Sequence, residues 1–171
     1  MALGLALSGG GIRGASHIGA LRALEEAGLK PNMIAGSSAG SIVASLYATG
    51  MTLDDMEEAF LKYAPYVLDI DFAGAFGAIL RLYPLFRGRP VLDGLIKGNN
   101  AEKIVNKLTE GRRMSQADIP LAITATDIND GTPVVFASRR LEVRSGGNLI
   151  CCSDALISEA VRASIAIPVV F

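Results

Sequence analysis

Residues 36 to 40 read Gly36-Ser37-Ser38-Ala39-Gly40, a G-x-S-x-G pentapeptide between the apolar run Asn32-Met33-Ile34-Ala35 and the helix-prone stretch Ser41 to Tyr47. A strand that turns sharply into a helix around a central serine is the setting of a nucleophile elbow. Ser38 is therefore the candidate nucleophile. An alcohol is a weak nucleophile at its ordinary pKa, so Ser38 needs a base within hydrogen-bond reach and donors aimed at the oxyanion its attack creates. Ser37 precedes the apex, and its side chain is expected to point elsewhere.

A second glycine-rich segment, Gly9-Gly10-Gly11-Ile12-Arg13-Gly14, matches G-x-G-x-x-G after a strand and before a helix. That pattern can cradle a dinucleotide, but such a site also wants an acidic residue at the end of the second strand, about 20 residues on, to hold a ribose. Here that strand ends Ile34-Ala35-Gly36-Ser37-Ser38, and the nearest acids, Glu25 and Glu26, belong to the first helix. Glycines at this place have another use, because backbone N–H groups without a Cβ in the way can approach a substrate at the positive end of a helix. Gly10 and Gly11, joined by the amide of Ala39 just after the serine, then form an oxyanion hole, in which one donor is worth about 3 to 4 kcal/mol of barrier. Gly9 and Gly14 complete the loop motif, while Gly36 and Gly40 are read as required by close strand–helix packing. Arg13 either orients an anionic group or holds the loop through its carbonyls.

The base is harder to place. His17 is the chain's single histidine, and it precedes Ser38, whereas a triad hydrolase of the α/β type carries its histidine after the serine. One turn into the first helix, it reads as structural, which argues against a Ser-His-Asp mechanism. A carboxylate in direct contact with Ser38, taking the proton during attack and returning it to the leaving group, would make a dyad instead.

These motifs must be held by particular elements. Leu3 to Leu7 is a short apolar strand, and Ile18, Leu21, Leu24 and Ala27 recur at helical spacing until Gly28 and Pro31 stop the helix. Met33-Ile34-Ala35 is the second strand. A right-handed βαβ crossover makes the two strands parallel neighbours and brings the glycine loop and Ser38 to one carboxyl edge. The pattern turns helical from about 52 to 111, with a capped start at Thr52 and a short helix from Ala101 to Leu108. Within it, Asp71 to Phe86 carries many aromatic and aliphatic residues, to be read as ordinary core packing or as a cap or membrane-touching face. Pro120 to Thr126 and Pro133 to Phe136, around Asn129-Asp130-Gly131, form a predicted hairpin, and a last helix is expected from about Ser153 to Ala163.

With 171 residues, half of them apolar, the chain suits a single domain with a substantial core. A net charge of -1 with evenly scattered Lys and Arg speaks against a nucleic-acid partner. The chain contains no apolar run near the roughly 20 residues that span a bilayer, nor the start of a signal peptide, which leads to the expectation of a cytoplasmic protein. Cys151 and Cys152 are adjacent, so neither a mutual disulfide nor a cysteine zinc site is expected.

The two glycine motifs in this order and spacing resemble the patatin-like phospholipases, with the small bacterial members nearest in pattern. The resemblance extends to Ala125-Thr126-Asp127 and to Val161-Arg162-Ala163-Ser164-Ile165-Ala166-Ile167-Pro168, and so spans most of the chain. It implies a three-layer α/β/α core with a mainly parallel sheet, a Ser-Asp dyad, an oxyanion hole in the glycine loop, and hydrolysis of acyl esters in lipids without calcium or a cofactor. The implied partners are a lipid or acyl-ester substrate and peripheral contact with a membrane. In that family the catalytic aspartate lies in a D-G-G or D-G-A motif shortly after the segment resembling Ala163 to Phe171, so the partner of Ser38 is expected beyond Phe171. The abrupt apolar ending Pro168-Val169-Val170-Phe171 fits the N-terminal part of such a hydrolase. Asp93-Gly94 and Asp130-Gly131 read as turn formers, and Asp127 as a support for loops near the site and a fallback base. The alternatives are a catalytically idle lipid-binding relative and a dinucleotide-binding protein.

Overall fold

The computed structural model of the chain describes residues 2–67, 99–139 and 150–166. β1 (Gly4–Leu7) leads through a 3-10 turn (Gly11–Ala15) into α1 (Ser16–Glu26), followed by β2 (Met33–Ser37) and α2 (Ala39–Ala48). Then come α3 (Leu53–Val67), α4 (Asn99–Leu108), β3 (Leu121–Thr126), β4 (Pro133–Ala137), β5 (Ile150–Cys152) and α5 (Ile157–Ile165).

The strands form one sheet in the order β1-β2-β3-β4-β5. β1, β2 and β3 are mutually parallel, β3 and β4 are antiparallel, and β4 and β5 are parallel. The expected βαβ crossover and hairpin are both present, and the mostly parallel sheet with helices is an α/β architecture. Three loops consequently meet at one edge: the one after β1, the turn into α2 after β2, and the turn after β3.

Register sorts the side chains between the two faces. Leu7, Ile34, Leu121 and Ile123 are buried and lie on the face that packs against α2. They share one core with Ile18 and Leu21 of α1, Val43 and Leu46 of α2, Met56 of α3, and Ile157 and Val161 of α5. The described helices thus form one layer against the sheet. On the opposite face Gly4, Ala6 and Met33 are exposed. α2 runs through the centre, with every residue from Val43 to Ala48 buried, and its serines spend their hydroxyls inside the helix, Ser45 Oγ donating to the Ser41 carbonyl at 2.6 Å.

Local chemistry sets the helix ends. Gly28 takes φ 72°, and the amides of Gly28 and Leu29 close back on the carbonyls of Glu25 and Leu24 at 2.9 and 2.8 Å, which satisfies the last turn of α1. Thr52 caps α3 as expected, its Oγ1 accepting the Asp55 amide at 3.1 Å and donating to the Asp55 carboxylate at 2.6 Å. The last helix starts four residues later than the sequence suggested. Glu159 reaches back to accept the Leu156 amide at 2.9 Å, so the cap falls there and not at Ser153. β5 was not anticipated, since three residues give too short a pattern for alternation to register. Cys151 and Cys152, both free, lie in it. The Asp71–Phe86 stretch and Asp93-Gly94 fall outside the described residues.

α1 and α2 are tied by the Tyr47 hydroxyl, which donates to Glu25 Oε1 at 2.8 Å. Tyr47 is 8% exposed, and burial, then the Glu25 carboxylate, hold its phenol well above the ordinary tyrosine pKa. The folded state keeps this proton where the unfolded chain loses it. The contribution is therefore complete below about pH 10 and declines as pH rises beyond it. Tyr47→Phe should accordingly flatten the alkaline fall in melting temperature, and an unchanged slope between pH 9 and 11 would count against this pairing.

Candidate active site

Ser38 sits between the end of β2 and the first turn of α2 with φ 50° and ψ -124°. Only it and Glu110 among the described non-glycine residues have positive φ, a conformation that costs an L-residue about 1 to 3 kcal/mol unless its surroundings over-determine it. The surroundings here are specific. The Ser38 carbonyl accepts both the amide and the hydroxyl of Ser41, at 2.8 and 2.5 Å, and the Ser38 amide donates to Ser164 Oγ at 2.8 Å.

The flanking glycines make room for this turn. A Cβ on Gly36 would stand 2.6 Å from Ser41 Cα, and one on Gly40 would stand 2.6 Å from the Ser8 carbonyl oxygen. In both cases the obstruction is backbone. β2, α2 and the end of β1 can therefore approach this closely only through glycine, as the packing role read for Gly36 and Gly40 requires.

The glycine loop closes on the serine from the β1 side. A Cβ on Gly9 would lie 3.1 Å from Ser38 Cβ and 3.7 Å from Ser38 Oγ, and one on Gly14 would meet Ala39 Cβ at 2.6 Å. The two motifs, more than twenty residues apart in sequence, thus form one surface. Gly11 has φ 56°, and the loop turns there into the 3-10 segment, where the Arg13 amide donates to the Gly10 carbonyl at 3.2 Å and the Arg13 side chain is exposed. The amide of Ala39 opens α2 and lies outside the helix's own ladder of bonds.

His17 Nε2 donates to the Ser8 carbonyl at 2.9 Å. That bond commits one ring nitrogen to anchoring the strand end that feeds the glycine loop, in line with a structural reading of the lone histidine. Asp127 lies at the same sheet edge, three residues past Thr124, the register partner of Ser37. Its Oδ1 accepts the backbone and side-chain N–H groups of Asn129, both at 2.8 Å. Asp130 accepts the Thr132 amide at 2.8 Å, and this bond holds its carboxyl below the ordinary aspartate range. Asp130-Gly131 is a turn, Gly131 having φ 77°.

Ser164 was missed by sequence reasoning. A signal existed, because a serine occupies the stripe formed by Ile157, Ala160, Val161 and Ile165 on the buried face of α5, but nothing along the chain says which amide, 126 positions away, it would accept. A concavity of about 520 Å³ between α3 and the end of α4, lined by Asp55, Glu58, Lys62, Glu110 and Arg112 among others, contains no residue of either glycine motif.

Comparison with known proteins agrees with this architecture. The chain is 54% identical over 48 residues to the lysophospholipase NTE1 of Mycosarcoma maydis, covering 28% of this chain and 2% of that protein. It is 26% identical over 126 residues to the mouse patatin-like phospholipase domain-containing protein 6, covering 74% of this chain and 8% of that one. Among solved structures, ExoU in its heterodimeric complex with SpcU from the type III secretion system of Pseudomonas aeruginosa matches 99% of this chain with a TM-score of 0.56 and 25% identity, over 37% of its own chain. VipD of Legionella pneumophila matches 99% with a TM-score of 0.62 over 43% of its chain, and at 17% identity it speaks for the fold alone. The chain thus spans under half the length of each of these relatives. The family model described as patatin-like phospholipase matches residues 5–171, and the chain belongs to the patatin-like phospholipase family.

Proposed function

We propose that this chain carries the nucleophile and oxyanion hole of a serine lipid acyl hydrolase of phospholipase or lysophospholipase type. The observation that carries the reading is the backbone of Ser38, held at φ 50° with the glycine loop packed against its side chain. In this reading Ser38 Oγ attacks the ester carbonyl carbon. Its proton passes to a carboxylate and then to the departing alcohol, and the acyl group stays on Ser38 until water, deprotonated by the same carboxylate, releases it as a fatty acid. The amides of Gly10, Gly11 and Ala39 stabilise the oxyanion, as expected where donors are fixed before charge develops. Arg13 and Asp127 support the loops on either side. The base is an aspartate following Phe171, and the chemistry needs neither metal nor cofactor.

The test is a fluorophosphonate probe with intact-mass analysis, applied to the 171-residue chain and to the longer polypeptide carrying the Asp-Gly motif. A single adduct on Ser38 and ester turnover, both confined to the longer form, are the expected result. Absence of any adduct in the longer form would sink the hydrolase reading and leave lipid binding without catalysis. Ser164 is expected to act as a positioning residue. Ser164→Ala orphans the Ser38 amide and should slow labelling about tenfold, whereas Ser164→Thr, which keeps the acceptor, should restore it. Equal labelling rates in all three forms would remove this role.

A further inference from the structure

Six large apolar side chains are conspicuously exposed among the described residues, and three of them, Ile12, Ile128 and Ile150, are isoleucines at 61, 83 and 44%. Topology puts these three on one edge. Ile12 lies in the turn after β1 and Ile128 in the turn after β3, flanking the Ser38 turn after β2. Ile150 opens β5 and pairs with Val134, which pairs with Ala125, the residue after the Thr124 that partners Ser37. It therefore stands level with Ser38, three strand spacings away, or about 14 Å. The other three, Leu29, Met33 and Leu61, lie at the end of α1, at the start of β2 and on α3.

Turn chemistry does not account for these residues. The segment Asp127-Ile128-Asn129-Asp130-Gly131-Thr132 is otherwise built of turn formers, with Asp127 and Asp130 bonded to its own amides, and a β-branched apolar residue at its tip serves no local purpose. Ile12 is likewise set among glycines and Arg13. Single exposed apolar residues are ordinary, but three along the edge that carries the nucleophile candidate are not a scatter.

We infer that Ile12, Ile128 and Ile150 form an apolar rim that seats the Ser38 edge on a zwitterionic lipid–water interface. This inference rests on the acyl-hydrolase reading for its meaning, not for the binding itself. Within two residues of the three isoleucines the formal charges are Arg13, Asp127 and Asp130, so anionic headgroups gain little from them. Insertion of side chains drives the contact, and salt should leave it unchanged.

The experiment is co-sedimentation of the chain with phosphatidylcholine vesicles, with and without added phosphatidylserine, at low and high salt. Each of Ile12→Ser, Ile128→Ser and Ile150→Ser should weaken partitioning about tenfold, and the triple variant should stay in solution. Leu61→Ser on α3 should bind like the parent. The chain has no tryptophan, so Ile128→Trp supplies a single reporter whose emission should shift to the blue on vesicles, even where a serine variant folds poorly. The rim is overturned if the triple variant binds like the parent, if Leu61→Ser weakens binding equally, if binding needs phosphatidylserine and vanishes in salt, or if the Ile128→Trp emission stays unmoved. Fluorophosphonate labelling in lipid-free buffer separates the two readings. Lost vesicle binding with Ser38 still labelled in the longer polypeptide sinks the rim alone, and vesicle binding with no labelling of the longer polypeptide sinks the hydrolase alone.

Discussion

Replacing Gly40 by alanine is expected to destabilise the protein by about 3 kcal/mol or more, or to prevent folding outright. The added methyl would stand 2.6 Å from the Ser8 carbonyl oxygen and 2.7 Å from the Leu7 carbonyl carbon. These are backbone atoms of the strand end that feeds the glycine loop, and they cannot step aside as a side chain could. Relief would require α2 to lift from β1 and β2, opening the core around Val43 and Leu46. For a chain of this length the melting temperature should fall by roughly 6 to 12 °C. Gly19→Ala is the control. Gly19 sits exposed in α1 with nothing within 4 Å of an added Cβ, so helix propensity should make that change stabilising by about 0.5 to 1 kcal/mol. A Gly40→Ala protein that melts within a degree of the parent would refute the claim that backbone contact fixes this position.

Ser38→Gly should abolish fluorophosphonate labelling while raising stability. With φ 50° and ψ -124°, Ser38 occupies backbone space that glycine enters freely, so the change releases about 1 to 3 kcal/mol of strain, partly offset by the 0.5 to 1 kcal/mol that glycine's greater freedom in the unfolded chain costs. A net gain of about 1 kcal/mol, or 2 to 4 °C, is expected. Ser38→Ala removes the same hydroxyl without relieving the backbone, so it should lose labelling equally and gain nothing. Comparing the two melts isolates the strain from the loss of the side chain. Identical melting temperatures would mean that the elbow stores no energy.

Much of this site was legible beforehand because its defining interactions are local. A strand, a tight turn and a helix leave glycines at fixed offsets around a serine, and the glycine loop before α1 obeys the same rule, so both motifs and their convergence on one sheet edge could be read from spacing and the handedness of crossovers. The Thr52 cap, the end of α1 at Gly28 and the β3–β4 hairpin were legible for the same reason. Each is decided within about six residues. The start of α5 was expected at about Ser153, while the Glu159 side chain, bonded to the Leu156 amide, sets the boundary at Ile157.

The amino-acid sequence alone determined the α/β class and the two glycine motifs, because periodicity and short-range sterics act through neighbours in the chain, and those motifs carried the resemblance to the family. Tertiary structure decided the rest. It alone brings Ser164 to the Ser38 amide, commits His17 to the Ser8 carbonyl and ranges Ile12, Ile128 and Ile150 along one edge. Those relations join segments up to 126 residues apart, and only the packing of α5 and the register of the sheet place their atoms within reach.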